Sequence, residues 1–168
     1  MQQNYARVAG FLESVPAAEL MDHALQVNAP ELERHQIEVR RAYAALPNLT
    51  VDKHRLLQIL INLINNAKYA LNDAPPAGRW IRLGIEPHEQ DRVRITVADN
   101  GVGIPPENLT RIFTFGFTTR PDGHGFGLHN GANAAREMGG SLNVHSDGPG
   151  HGATFTLELP LIGKNPHR

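Results

Sequence analysis

The sequence contains no cysteine, which excludes disulfide staples, thiolate nucleophiles and cysteine–zinc sites together. It also has almost no net charge. Its 16 Lys and Arg stand against 17 Asp and Glu, leaving −1 at pH 7, and the basic residues are dispersed. That argues against a nucleic-acid footprint and against a basic membrane-binding face. No apolar run approaches the length of a membrane span, and the first residues lack the basic-then-apolar order of a signal peptide. A soluble, cytoplasmic domain is therefore expected. The nine histidines are scattered singly, without H-E-x-x-H or paired i, i+4 spacing, so they do not suggest a metal centre. What is present is 168 residues, 40 % of them apolar, enough for one domain with a proper core. Glycine and proline are concentrated after residue 74, which points to functional loops in the second half.

The most informative stretch is His54 to Asn72, HRLLQILINLINNAKYALN. At about 100° per residue, Gln58, Asn62, Asn65, Asn66 and Tyr69 fall on one narrow stripe. Leu56, Ile59, Leu60, Leu63, Ile64, Ala67, Ala70 and Leu71 cover most of the rest. A helix apolar over most of its circumference lies deep in a domain, so the amides on its polar stripe need partners other than bulk water. They either bond neighbouring backbone or present carbonyl oxygens to a metal–phosphate group. Asn has poor helix propensity, so an Asn-rich stripe reads as tolerated for a purpose.

Along the chain, Met1 to Val15 reads as a short amphipathic helix ended by Pro16, and Ala17 to Val27 as a second, with Glu31 to His35 extending or following it. Gln36 to Tyr43 alternates like a strand. Thr50 or Asp52 can cap the central helix, which ends at the Asn72–Pro76 breaker. Trp80 to Glu86 and Arg92 to Ala98 read as paired strands, followed by a long Gly-rich passage from Asp99 to Gly127. Leu128 to Met138 is a helix stopped by Gly139-Gly140, and Ser141 to His145 with Ala153 to Leu159 forms a closing hairpin. Helices and strands come in blocks, so the fold class is α+β, one sheet covered by helices on one face.

Two glycine motifs carry chemistry. Asp99-Asn100-Gly101-Val102-Gly103-Ile104-Pro105 leaves a strand directly. Its glycines permit a ligand to approach the backbone, and its Asp can accept from an exocyclic amine or simply cap a tight turn. Gly123 to Leu128, GHGFGL, opens a helix, where amides and helix dipole together make an anion site or a flexible hinge. It is neither a dinucleotide fingerprint nor a P-loop. Between them, Arg111 to Pro121 holds three Phe, consistent with a surface loop docked on the core or with a lid whose Thr118, Thr119 and Arg120 reach a phosphate.

In this order the motifs resemble the catalytic ATP-binding domain of sensor histidine kinases, in the Bergerat-fold superfamily that also holds gyrase, mismatch-repair and heat-shock chaperone ATPases. The resemblance spans about Ala17 to Pro160. The N box matches Asn62 to Ala67 and the G1 box Asp99 to Ile104. The F box matches Ile112-Phe113 through Phe117-Thr118-Thr119, the G2 box Gly123 to Leu128, and the last Gly-rich box Gly150 to Phe155. The resemblance implies a two-layer sandwich, a mixed, mostly antiparallel sheet covered on one face by about three helices, with ATP between helix and lid. It implies that Asp99 binds the adenine amine, helped by Thr154 through water, and that Asn66 ligates Mg²⁺ with Asn62 nearby. Gly101, Gly103, Ile104, Phe113, Thr118, Thr119, Gly123, Gly125, Phe126, Gly127 and Leu128 would complete the nucleotide site. The implied partners are the kinase's own phosphoacceptor and dimerisation domain and a response regulator, with the full-length protein a dimer.

Two departures stand out. Many of these kinases carry Lys three positions after the Mg²⁺-binding Asn, where this chain has Tyr69; Lys68 comes one earlier. Lys68 projects about 160° away from Asn66 on the helical wheel, so Arg120 is the better phosphate ligand. No His sits in the acidic-flanked context of a phosphoacceptor. Residues 1–15 are then expected to be the remnant of a dimerisation helix, 16–162 the catalytic domain and 163–168 a tail, a truncated kinase inactive in autophosphorylation. ATP-hydrolysing relatives place Glu at the position of Asn62 as general base. An amide cannot take that proton, which favours kinase over ATPase, and a nucleotide-sensing module without transfer is the remaining rival.

Overall fold

The computed structural model describes residues 11–118 and 127–163. Its elements are β1 (Glu13–Val15), α1 (Ala17–Arg34), β2 (Glu38–Tyr43), β3 (Leu49–Val51), α2 (Lys53–Asn72), β4 (Trp80–His88), β5 (Arg92–Asp99), the single turn α3 (Pro106–Leu109), α4 (Gly127–Glu137), β6 (Ser141–His145) and β7 (Ala153–Pro160). Five strands form one sheet in the order β2-β4-β5-β7-β6. Only β2 and β4 run parallel; the other neighbours are antiparallel. The mixed, mostly antiparallel sheet under three long helices is the α+β arrangement expected from the sequence.

Strand periodicity decides which side of the sheet is covered. Ile81, Leu83 and Ile85 of β4, Val93, Ile95 and Val97 of β5, and Phe155, Leu157 and Leu159 of β7 are all buried. With the inward stripes of α1 and α2 (Met21, Ala24, Leu56, Leu60, Leu63, Ile64) they make one continuous core. The residues between them, among them Arg82, Arg94, Thr156 and Glu158, face away and are partly or fully exposed.

Helix α2 runs through the middle of this layer. Asp52 caps it, its carboxylate accepting from the Arg55 N–H at 3.3 Å. At the other end Arg79 donates to the carbonyls of Asn72 and Ala74, and to that of His35 beyond α1. A cation there complements the negative end of the helix dipole. Helix α1 continues through Pro30, which predicts a break. Pro30 and Gln26, the residue whose carbonyl loses its partner, lie on the exposed side where water can take its place.

The helix read over Met1 to Val15 is corrected at its end: Glu13–Val15 is strand β1, antiparallel to β3 with Glu13 opposite Val51. Val15 precedes Pro16, and a residue before proline is pushed out of the α region. Residues 1–10 lie outside the described residues. The strand read from Gln36 begins two residues later, because Gln36 has φ 59° and ends the turn after α1. The short β3 and α3 had no sequence expectation.

Candidate functional site

A cavity of about 360 Å³ opens between α2, the loop after β5 and the first turn of α4. One wall is the polar stripe of α2: Asn62, Asn65, Asn66 and Tyr69 all line it, and the stripe continues to Asn72 and Asp73. These two were missed by sequence reasoning, although their i+3 and i+4 offsets from Tyr69 place them on the same line. Gln58 donates to the Asn62 side-chain oxygen at 3.2 Å and so orients that amide without itself lining the cavity. Lys68 is buried and does not line it. Its ammonium lies 4.7 Å from the Tyr69 ring centroid.

Asp99 closes the inner end. It continues the inward series Val93, Ile95, Val97, so strand alternation alone aims its carboxylate to the helix side of the sheet. It is 4 % exposed. The Gly101 N–H donates to it at 2.8 Å, and the Ala153 N–H also bonds it. Burial nonetheless wins, and pushes the carboxyl up to about 6 against the pull of those two donors.

The loop after β5 is held by close packing. A Cβ on Gly101 would lie 2.5 Å from the carbonyl oxygen of Ala70 in α2, whose partner is the Val102 N–H at 3.1 Å. Gly103 has φ 75°, and a Cβ there would meet the Gly148 carbonyl at 2.1 Å. Ser146 joins the two loops, accepting from the Ile104 N–H at 3.0 Å and donating to the Gly152 carbonyl at 2.6 Å. Val102, Gly103, Ile104 and Pro105 thereby form a fixed wall.

Ile112, Phe117 and Thr118 line the mouth with Gly127 and Leu128 of α4. A Cβ on Gly127 would sit 3.5 Å from the Asn62 side-chain nitrogen, so this helix start faces the amide stripe. Three expected residues do not line the cavity: Gly101 packs against the Ala70 carbonyl behind the wall, and two lie elsewhere. Phe113 turns to the core, edge-on to Phe155 at 6.3 Å. Thr154 belongs to the outward series Thr154, Thr156, Glu158 of β7 and lines a separate hollow with Arg82 and His151. Its neighbour Ala153 takes the inward position in the cavity. Thr119, Arg120, Gly123, Gly125 and Phe126 lie outside the described residues.

The chemistry of this site suits an adenine nucleotide: a buried acceptor at one end, an amide stripe, and a glycine helix start. Among the described residues no three His, Cys, Asp or Glu cluster to hold a metal. A divalent cation here would depend on amide oxygens and on oxygens brought by the ligand, a donor set that suits Mg²⁺.

A family model described as histidine kinase-, DNA gyrase B- and HSP90-like ATPase matches residues 51–163. This chain belongs to that ATPase family. The match begins at Val51, just before α2, and takes in both glycine loops. Among relatives, the sensor histidine kinase ZraS of Salmonella typhimurium is 37 % identical over 156 residues, 91 % of this chain and 32 % of the relative. The chain thus spans about a third of that relative's length. The full-length ShkA crystal structure in complex with AMPPNP superposes with TM-score 0.80 at 30 % identity, covering 92 % of this chain and 32 % of that one. The catalytic domain of histidine kinase ThkA, at 23 % identity, shares the fold with TM-score 0.78 over 93 % of this chain and 97 % of its own.

Proposed function

We propose that this chain binds Mg–ATP in the cavity and serves as the catalytic domain of a two-component sensor kinase, presenting the γ-phosphate to a histidine on a dimerisation domain. The observation that carries the reading is Asp99, a buried carboxylate at a strand end beside two backbone donors and opposite the Asn62–Asn65–Asn66 stripe. In this reading Asp99 accepts from the adenine amine. Asn66, with Asn62 beside it, offers its amide oxygen to Mg²⁺, and the start of α4 faces the phosphates. The bound Mg²⁺–nucleotide supplies the transferable phosphoryl group. The chain's own part is positioning and charge stabilisation.

Asn62 supports transfer over hydrolysis. An amide cannot act as general base for water, whereas a neutral imidazole nitrogen needs no such base to displace ADP. The partners in this reading are the phosphoacceptor domain and then a response regulator, in the cytoplasm. Among the described residues no helix is long and apolar enough to cross a membrane. The test joins this chain to a histidine-bearing dimerisation domain and supplies γ-labelled ATP. Acid-labile, base-stable label on the histidine is expected. Release of inorganic phosphate with no labelled histidine would replace the reading with a hydrolytic switch.

A further inference from the structure

His129 stands on the first turn of α4, two residues after Gly127 of the cavity wall. Its Nδ1 lies 3.1 Å from the Phe113 carbonyl oxygen, and its Nε2 lies 3.1 Å from the side-chain nitrogen of Asn133, one turn on. Arg136 in turn donates to the Asn133 side-chain oxygen. The two ends of this chain fix its direction. A carbonyl can only accept and a guanidinium can only donate, so each group between them must receive from one side and give to the other. The Asn133 NH₂ therefore donates to Nε2, and the His129 ring carries its proton on Nδ1 and gives it to Phe113.

The acceptor is part of the opposite wall. Phe113 follows Ile112 and precedes Phe117 and Thr118, all three of which line the cavity. Its ring is anchored edge-on against the buried Phe155 of β7, with an interplanar angle of 86°. The ring of Phe115, two residues on, stands edge-to-face on His129 at 5.2 Å. One side chain of α4 thus holds this loop by its backbone and by a ring, while the residues just before it, Gly127 and Leu128, form the facing wall.

We propose that His129 is a positioning residue that sets the separation between the α4 wall and the Ile112–Thr118 wall, and through it the fit of the nucleotide's phosphate end. The claim rests on the nucleotide reading above for its ligand, but the latch itself can be read without one. His129→Phe keeps an aromatic ring against Phe115 and removes both hydrogen bonds. His129→Asn places an amide nitrogen near the position of Nδ1 and keeps the donor to Phe113.

The experiment uses the full chain. Hydrogen exchange of the amides in 112–118 should quicken in His129→Phe and return toward the parent in His129→Asn, and imidazole ¹⁵N shifts of the parent should report the Nδ1–H tautomer. By calorimetry, Mg–AMPPNP affinity should fall about tenfold in His129→Phe, the scale of one lost hydrogen bond, and recover at least half-way in His129→Asn. Unchanged exchange in His129→Phe, an Nε2–H tautomer, or equal loss of affinity in the two variants would overturn the proposal. If the parent itself fails to bind Mg–AMPPNP, the nucleotide reading falls and the positioning role falls with it. An exchange response confined to His129→Phe would then leave His129 as a structural clamp only.

Discussion

The Gly101 N–H donates to the Asp99 carboxylate at 2.8 Å, across a turn that Gly101 can make only because it has no side chain. A Cβ there would collide with the Ala70 carbonyl at 2.5 Å. Through this pair, strand β5, helix α2 and the loop between them fix one carboxylate against the cavity. The bond occupies part of the carboxylate's accepting capacity and leaves the rest for a ligand donor.

The first expectation concerns base selectivity. Asp99→Asn keeps the shape but replaces an acceptor with a donor facing the adenine amine. Mispairing a buried polar group costs roughly 1–3 kcal/mol, so ATP affinity should fall about 10- to 100-fold. GTP should bind the parent poorly, because its keto group offers Asp99 a second acceptor. Calorimetry finding equal ATP and GTP affinity would remove Asp99 from the adenine site.

The same carboxyl makes stability and binding respond to pH in opposite senses. Burial raises it from 3.8 to about 6 in the folded protein, so the folded state holds its proton more tightly than the unfolded chain. The ligand-free fold is therefore unpenalised below about pH 4. It loses stability as pH rises through this range, by roughly 3 kcal/mol above pH 6. Asp99→Asn should relieve that loss. Urea denaturation should find the variant more stable than the parent at pH 7.5 and nearly equal at pH 4. ATP affinity of the parent should instead weaken as pH falls below 6, since the protonated carboxyl loses an acceptor. A variant less stable than the parent at pH 7.5 would contradict the burial argument.

Much of this site was legible in the sequence because two periodicities reach it. The 3.6-residue stripe put Asn62, Asn65, Asn66 and Tyr69 on one wall and Lys68 off it, and the two-residue alternation of β5 carries Asp99 inward. The same alternation, applied to β7, separates Ala153 from Thr154. The family pattern alone pointed one residue too far, to the outward side chain. Other features had no local signal. Strand β1 exists through pairing with β3, some 35 residues away in the chain, and the Ser146 link to Ile104 joins loops 42 residues apart. The Phe-rich loop left docking on the core and a lid both open, and the Phe113 ring finds the core through Phe155.

A third expectation separates the two neighbours Asn66 and Lys68. Asn66 lines the cavity, whereas Lys68 is buried outside it over the Tyr69 ring. Asn66→Ala should abolish the tightening of ATP binding by Mg²⁺, because the ion loses its protein oxygen ligand. Lys68→Ala should change nucleotide affinity by less than about threefold, the scale of a charge that acts on the ligand only indirectly. Titrations of both variants with and without Mg²⁺ decide the matter. Equal damage from the two would mean that the lysine reaches the phosphates after all.

The last expectation rests on Ser146, whose hydroxyl accepts from the N–H groups of Ile104 and Gly148 at 3.0 and 3.2 Å and donates to the Gly152 carbonyl at 2.6 Å. The side chain is buried, and the loops it joins carry the cavity wall at Val102 to Pro105. Ser146→Ala removes one oxygen and leaves three backbone groups to find other partners. Each unpaired group costs about 1–3 kcal/mol when water cannot reach it. Ile104 is half-buried and its N–H can recruit water, so the net loss should be about 2–3 kcal/mol. The Gly150 N–H to Val102 carbonyl bond, 2.7 Å, still ties the loops, so the fold should persist with faster hydrogen exchange at Val102 to Ile104. Nucleotide affinity should weaken only a few-fold, since Asp99 and the amide stripe are held by other bonds. Urea denaturation showing a loss under about 0.5 kcal/mol, with exchange unchanged, would mean that the hydroxyl is not what joins the two loops.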